Sequence, residues 1–400
     1  MNASFGSNLN VNPKISIIVP TFREAENLPL LVDQVAEAMR RRGWVWEMIV
    51  VDDNSPDATH EVLDTLQHTY PQLRYRIRTN ERGLSSAVLD GMVMAQHDYL
   101  VVMDADLSHP PESVPTLVDK LIGGEADFVI GSRYVPGGKT EDWTWFRWLN
   151  SWGATLLSRP LAGPVRDSMA GFFAFRRALL VNSGPLNPIG YKIGLELLVK
   201  CNAQRVVEVP ITFRNRVHGE SKLTLKEQFR YLEHLSRLYD YKYPKIAPEA
   251  KFLIVAGCGV AACLGTVWGM ERSIGSVFPI NMAVGLLALI AVTLVFFLRY
   301  VHTQRDFIVM KHPYSEFVYI SLAELLVGWF FAVSTQLSAP VVLRALVGIA
   351  GLLVVRYALR KLFLHDIRGI RGVPKPAATL RLEFPPVAAP IMTTVRSASA

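Results

Sequence analysis

The chain has 400 residues, half of them hydrophobic and only 19% charged, against roughly 25% in soluble domains; this strains an ordinary cytosolic composition and points to a membrane part beside one or two globular units. Its 42 Lys and Arg against 35 Asp and Glu leave a formal charge of +7, an excess too moderate to choose between anionic lipid, nucleotide and nucleic acid. Cys201, Cys258 and Cys263 have no metal spacing and cannot all pair with one another, which excludes a disulfide scaffold and fits a reducing compartment.

Residues 1–14 carry no apolar stretch behind a basic start, so a flexible N-terminus without a cleaved secretory signal is expected, and the N-terminal part is placed in the cytosol. Short β-branched runs then alternate with helical spacing. Strands are predicted at 15–20, 47–53, 75–79, 99–106, 127–132, 171–176 and 206–213, with helices near 24–42, 57–69, 84–96, 111–123, 145–158 and 191–202. Strand and helix in regular succession imply an α/β fold with a mostly parallel sheet covered by helices on both faces, over 15–222. Arg40, Arg41 and Arg42 end a predicted helix before Gly43, where cations complement the helix dipole, and no nucleic-acid partner is inferred from them.

Within 223–243, Leu223, Leu225, Phe229, Leu232 and Leu235 alternate with Lys226, Arg230 and Arg237, the pattern of an amphipathic interfacial helix. A boundary follows near Pro244 to Lys251, and a four-span transmembrane domain is expected over 252–364, with apolar segments at 252–270, 278–298, 317–336 and 341–359. Lys and Arg concentrate between the second and third segments and after the fourth, so the N-terminal domain and the C-terminus are both placed on the cytosolic side. Glu324 and Arg356 are expected to pair within the bilayer, and the Pro- and Ala-rich tail over 373–400 reads as disordered.

Ligands of open parallel sheets gather outside the carboxyl ends of the strands. Those ends read Pro20-Thr21-Phe22-Arg23-Glu24, Asp52-Asp53-Asn54-Ser55, Asp104-Ala105-Asp106 and Ser132-Arg133. Asp104 and Asp106 are two apart, so on an extended backbone both project to one face, where hard carboxylate oxygens can hold Mg²⁺ or Mn²⁺ against a diphosphate. Asp52 and Asp53 can accept hydrogen bonds from a base or ribose, and Asp53 can instead cap the next helix. There is no glycine-rich phosphate loop, no nucleophile elbow and no His pair at zinc spacing. His109 and His218 read as hydrogen-bonding loop residues rather than bases.

The runs VPTFREAENL, VVDDNSPDAT, VMDADLSHPPE, VIGSRYVPGG, SMAGFFAFRR, LNPIGYKIGLELL and VHGESKL, in that order, resemble the polyprenyl-phosphate (dolichyl-phosphate) mannose synthases of glycosyltransferase family 2. FLRYVHTQRDF after the second apolar segment resembles the GtrA-like four-helix membrane domain that some of its members carry. The resemblance implies a GT-A fold, a sugar nucleotide such as GDP-mannose as donor, a polyprenyl phosphate lipid as acceptor, and inversion at the anomeric carbon. It implies that Pro20, Phe22, Glu24, Val51 and Asp53 hold the nucleoside while Asp104, Ala105 and Asp106 border its diphosphate. Asp106 would bind the metal most directly, with Asp104 and, in place of the Gln common in the family, Ser108. Arg133, Arg147, Arg216 and Lys222 match basic positions around the donor and acceptor phosphates, and Ser151 joins Arg133 and Arg147 at the acceptor.

A phosphate monoester is already anionic at neutral pH and needs no protein nucleophile or dedicated base to attack the sugar, which agrees with the absence of either. Metal and Arg side chains then supply the charge stabilisation. Trp143, Trp145, Trp148 and Trp152, beside Arg147, mark a second membrane-contact segment. A UDP-glucose-dependent polyprenyl-phosphate glucosyltransferase shares nearly all these motifs, and a sugar-nucleotide-binding scaffold or flippase component is the alternative of another class. A processive polysaccharide synthase is disfavoured because no Q-x-x-R-W occurs.

Overall fold

A computed structural model describes residues 12–141, 145–181, 183–184, 186–216, 225–274 and 278–303, with scattered positions between 343 and 354. The elements run β1 (Lys14–Thr21), α1 (Asn27–Arg42), β2 (Val45–Asp52), α2 (Thr59–Thr69), β3 (Leu73–Ile77), α3 (Leu84–Met94), β4 (Tyr99–Val102), α4 (Val114–Ile122) after a 3-10 turn at Pro111–Ser113, and β5 (Phe128–Ser132). Then come β6 (Lys139–Thr140), α5 (Trp145–Ala162), β7 (Phe173–Arg176), α6 (Ala178–Val181), α7 (Ile193–Lys200), β8 (Val206–Pro210), β9 (Thr212–Phe213), α8 (Leu225–Lys242), α9 (Ala247–Ile274) and α10 (Phe278–Thr303). Contacts divide the chain into two units, with the boundary between Lys242 and Tyr243.

The first unit is built on a seven-stranded sheet in the order β3-β2-β1-β4-β7-β5-β8. All neighbours are parallel except β7, which runs antiparallel to β4 and to β5. The central strands read as continuous apolar runs because helices cover both faces: Ile15, Ile17, Ile18 and Val19 of β1 and Met48 to Val51 of β2 are fully buried. Helix α1 buries Leu28, Leu31, Val32, Val35 and Met39 at helical spacing and ends on Gly43, whose φ of 64° lets its amide reach the carbonyls of Arg40 and Met39. Arg40 and Arg41 pair with Glu37, so the basic run is helix-end chemistry, as its position implies.

Three expectations need correction. The fourth strand stops at Val102, so Asp104 and Asp106 lie in a turn rather than on extended backbone; Met103 makes one further backbone bond to Ile18, and Leu107 then turns the chain with a φ of 61°. The last predicted strand is divided into β8 and β9, because Pro210 lacks an amide hydrogen and the chain leaves the sheet there. The two-residue β6 pairs with β9 in a small second sheet that short-range periodicity does not announce.

In the second unit α9 spans 28 residues and α10 spans 26. They approach closely: a Cβ on Gly285 would stand 2.8 Å from Val267 and 3.0 Å from the Cys263 carbonyl, and Cys263, Val267, Met282, Leu286 and Leu289 form the shared core. Among the described residues no helix is long and apolar enough to cross a membrane; the side chains described without a break cover only 257–273 in α9 and 278–303 only in part in α10. The expected third and fourth spans, the Glu324–Arg356 pair and the 373–400 tail lie outside the described residues apart from those scattered positions.

Helix α3 packs on the sheet through Gly91, where a Cβ would sit 2.5 Å from the Cγ2 of the fully buried Ile18. Gly91→Ala is expected to overpack this contact and destabilise the unit by about 1–3 kcal/mol, read as a lowered midpoint of chemical unfolding; an unchanged midpoint would remove the close approach from the packing.

Candidate active site

The four strand ends singled out in the sequence fall on one edge of the sheet, where β1, β2, β4 and β5 finish and the antiparallel β7 begins between β4 and β5. At the β1 end Pro20 is buried, Phe22 is half-buried, and the guanidinium carbons of Arg23 and Arg82 lie 5.2 and 5.3 Å from the Phe22 ring centre. Arg23 has a φ of 63°, and its amide is held by the Ser55 hydroxyl at 2.8 Å. Glu24 accepts from the Asn27 side chain at 2.6 Å and its amide reaches the Thr59 hydroxyl. The result is an aromatic platform between cations, a surface on which a planar base can stack.

The β2 end is more constrained than its residue types imply. Asp52 is fully buried and accepts from the Ser55 amide and hydroxyl and from His60. Asp53 does not cap α2. Its Oδ1 takes Arg78 through two nitrogens, and its Oδ2 takes the Gly83 amide at 2.7 Å. Of the roughly four lone-pair sites a carboxylate offers, three are used internally, so Asp53 retains one for a nucleoside. Val51 is fully buried beneath α3, and supports the rim instead of reaching a ligand.

The turn after β4 carries the acid pair. Asp106 is buried, and its Oδ1 accepts the Ser108 amide at 3.0 Å while its Oδ2 faces Arg216 Nε at 2.9 Å. The Asp104 side chain is 34% exposed, and the Asp104 amide donates to His109 Nδ1 at 3.0 Å. His109 is itself buried between Phe172, stacked at 5.3 Å, and Phe213, edge-on at 5.5 Å. Burial lowers the His109 pKa and keeps the ring neutral, so it serves as an acceptor that fixes the turn. Burial also raises the Asp104 pKa above its ordinary value; His109 opposes that rise and the neighbouring Asp106 adds to it. Gly171, just before β7, brings its backbone against Asp104: a Cβ there would be 3.5 Å from Oδ2.

This arrangement fits a divalent cation. Two carboxylates stand at one turn, Ala105 between them is buried, and the fully buried Ser108 Oγ has no hydrogen-bond partner. Among the described residues no group of three or more His, Cys, Asp or Glu forms a closed cage. Two carboxylates at one turn suit Mg²⁺ or Mn²⁺, which take one or two carboxylates and complete their shell from phosphate oxygens and water.

Beyond β5 the structure redistributes the expected cations. Arg133 is the nearly buried half of a two-pronged pair with Asp167, Nε to Oδ2 at 2.8 Å and Nη2 to Oδ1 at 2.7 Å, and its own amide donates to Asp167 at 2.9 Å. Asp167 is anchored in turn through its amide to Glu208. Tyr134 joins Ser151 of α5, hydroxyl to hydroxyl, at 2.7 Å. Of Arg147 only the helical backbone is described, and Lys222, Trp143 and His218 lie outside the described residues. Sequence reasoning missed Asp167, Arg78, Glu208 and Lys192. Asp167 and Lys192 stand beside or inside quoted motif runs, while the pairings that give them meaning join residues far apart in the chain.

His109→Ala is expected to leave the Asp104 amide without its acceptor, at a cost of about 1–3 kcal/mol, and to lower sugar transfer by more than it lowers nucleotide binding. Unfolding and transfer measured on the same preparation check this; a variant of normal stability and rate would contradict the role given to His109.

Residues 16–183 match glycosyl transferase family 2. The chain is 42% identical over 279 residues to the dolichol-phosphate mannosyltransferase of Pyrococcus furiosus, covering 68% of this chain and 78% of that one. It is 44% identical over 237 residues to the dolichol-phosphate mannosyltransferase of Saccharomyces cerevisiae, covering 57% of this chain and 88% of the yeast protein. A solved glucosyl-3-phosphoglycerate synthase from Mycobacterium tuberculosis, in complex with Mn²⁺, uridine-diphosphate-glucose and phosphoglyceric acid, aligns at 22% identity and a TM-score of 0.44 over 57% of this chain and 79% of that one. The ordered motifs, the acid-bearing sheet edge and these relatives together place the chain in glycosyl transferase family 2, among the dolichol-phosphate mannosyltransferases.

Proposed function

We propose that the protein transfers mannose from GDP-mannose to the phosphate of a polyprenyl, dolichyl-type lipid at the cytosolic face of a membrane. The turn Asp104-Ala105-Asp106, held at the carboxyl edge of the sheet by His109, Ser108 and Arg216, is the observation that carries the reading. The relatives' names supply the sugar and the acceptor.

An acceptor phosphate oxygen attacks the anomeric carbon of the donor; the new O–C bond forms as the bond from that carbon to the donor's β-phosphate oxygen breaks, and GDP departs with the electron pair. Because the attacking oxygen is already anionic, no side chain has to remove a proton. Asp104 and Asp106, beside Ser108, would hold Mg²⁺ or Mn²⁺, which would supply charge neutralisation for the departing diphosphate. The chain's own residues do the positioning: Phe22 offers a stacking face, Asp53 an acceptor for the nucleoside, and the buried Asp106 a charge fixed in direction by two hydrogen-bonding partners.

The lipid acceptor calls for a membrane-facing surface. On α5 Trp145 is 75% exposed and Trp152 50% exposed, with Leu149 and Leu156 exposed between and beyond them. Helix α8 exposes Phe229 and Leu232 while burying Tyr231, Leu235 and Leu238. It is fastened to α5 by bonds from Tyr231 to Ala154, Tyr239 to Leu157 and Lys242 to Leu161. Such exposed aromatic and aliphatic side chains on paired helices suit an interfacial anchor. In the second unit Ile254, Trp268, Ile280, Leu287 and Val295 are exposed, which suits helices that face lipid; four spans, with the catalytic domain and the C-terminus on the cytosolic side, rest on the apolar segments and the Lys and Arg of the loops in the sequence.

Full-length protein in membranes, offered radiolabelled GDP-mannose and UDP-glucose in parallel with polyprenyl phosphate, is expected to make the mannolipid alone. Asp106→Asn is expected to lower that rate by at least roughly 10²-fold. Transfer from UDP-glucose alone would overturn the choice of donor, and an undiminished rate in Asp106→Asn would overturn the catalytic reading.

A further inference from the structure

The charges around the acid pair do not all serve one another. Three acids meet here, Asp104, Asp106 and Asp167, with three cations, Arg133, Arg216 and Lys192. Arg133 places its fork on the fully buried Asp167, and Arg216 lies 2.9 Å from the Asp106 carboxylate. Among the described residues Lys192 has no acid in hydrogen-bonding contact. Its ammonium donates once, to the Met169 carbonyl at 2.9 Å, and rests 4.6 Å from the centre of the Tyr191 ring.

An ammonium has three N–H groups, so the bond to Met169 leaves two unspent. Met169 is two residues before Gly171, the residue packed against Asp104, which places the Lys192 ammonium on the Asp104 side of the edge. The half-buried Lys192 feels Arg133, Asp167 and Asp104. Burial first, and Arg133 second, bring its pKa down to about 8, so the cation lacks full compensation and gains from an anionic ligand. Arg133 spends two of its five N–H groups on Asp167, so that pair can stay intact beside a bound phosphate.

We infer that Lys192 is a binding residue for the phosphate monoester of the acceptor, taking the phosphoryl oxygens with its two remaining N–H groups beside the Arg133–Asp167 pair. The inference rests on the polyprenyl-phosphate reading above and adds to it a residue outside the strand-end motifs. The phosphate contact is charge-assisted and short-ranged, so Lys192 acts on acceptor capture and orientation; the donor's diphosphate is left to the Asp104–Asp106 turn.

The test is a steady-state comparison of the full-length wild type, Lys192→Met and Lys192→Arg, varying GDP-mannose and a short-chain polyprenyl phosphate separately, with GDP affinity measured on the same preparations. Lys192→Met is expected to lower kcat/KM for the acceptor by about tenfold or more, the worth of one charge-assisted contact, while KM for GDP-mannose and the affinity for GDP stay within about twofold of wild type. Lys192→Arg keeps the charge and is expected to recover most of the acceptor term, which a packing role would not allow. A loss confined to GDP-mannose or GDP would assign Lys192 to the donor and overturn the inference, as would equal losses in both variants. Wild-type protein inert with this substrate pair would overturn the functional reading and the inference with it; active wild type with unaltered variants overturns the inference alone.

Discussion

The site depends on a single turn that the backbone would not adopt unaided. Leu107 sits in the left-handed region with a φ of 61°, where a residue with a Cβ costs about 1–2 kcal/mol. Its buried side chain, the Ser108 amide on Asp106 and the His109 ring beneath the Asp104 amide hold it there. Because β4 ends at Val102, four residues before Asp106, the carboxylates leave the sheet and face its open edge. The two Phe rings against His109 come from opposite ends of the fold's second half, Phe172 before β7 and Phe213 in β9, so the antiparallel strand and the small second sheet both exist in part to support this corner.

Electrostatic balance is the second constraint. Buried carboxylates are tolerable only when paired or hydrogen-bonded, and here each has a separate remedy: Asp52 takes Ser55 and His60, Asp53 takes Arg78 and Gly83, Asp106 takes Arg216, and Asp167 takes Arg133. Asp104, 34% exposed at the edge, is held mainly through its backbone amide. An edge assembled this way is rigid before substrate arrives, which is what positioning chemistry without a covalent intermediate requires.

Much of this was legible in the sequence, and the failures have physical causes. Strand ends were found because buried parallel strands are long apolar runs and ligands gather at their carboxyl ends. The acid pair followed from its place at a strand end, whereas Ser108 came from the family resemblance. The early end of β4 did not, because a hydrogen-bond ladder that stops after Val102 leaves no trace in side-chain periodicity. The pairing of Arg133 with Asp167, 34 positions later, has no local sign in the sequence. Lys192 stood inside a recognised run, yet its isolation from any acid is a property of three-dimensional neighbours. Val51 matched a family position, but its full burial belongs to the close approach of α3 through Gly91.

A carboxylate turn built to receive a cation between protein and diphosphate should couple the two ligands. The direct measurement is calorimetric titration of GDP into the full-length protein with Mn²⁺ or Mg²⁺ present and after chelation. GDP affinity is expected to fall by about tenfold or more on chelation and to return with added cation, the size of effect a direct charge contact carries. An affinity indifferent to the divalent ion would contradict the assignment of Asp104 and Asp106 and, with it, the chemistry placed at this edge.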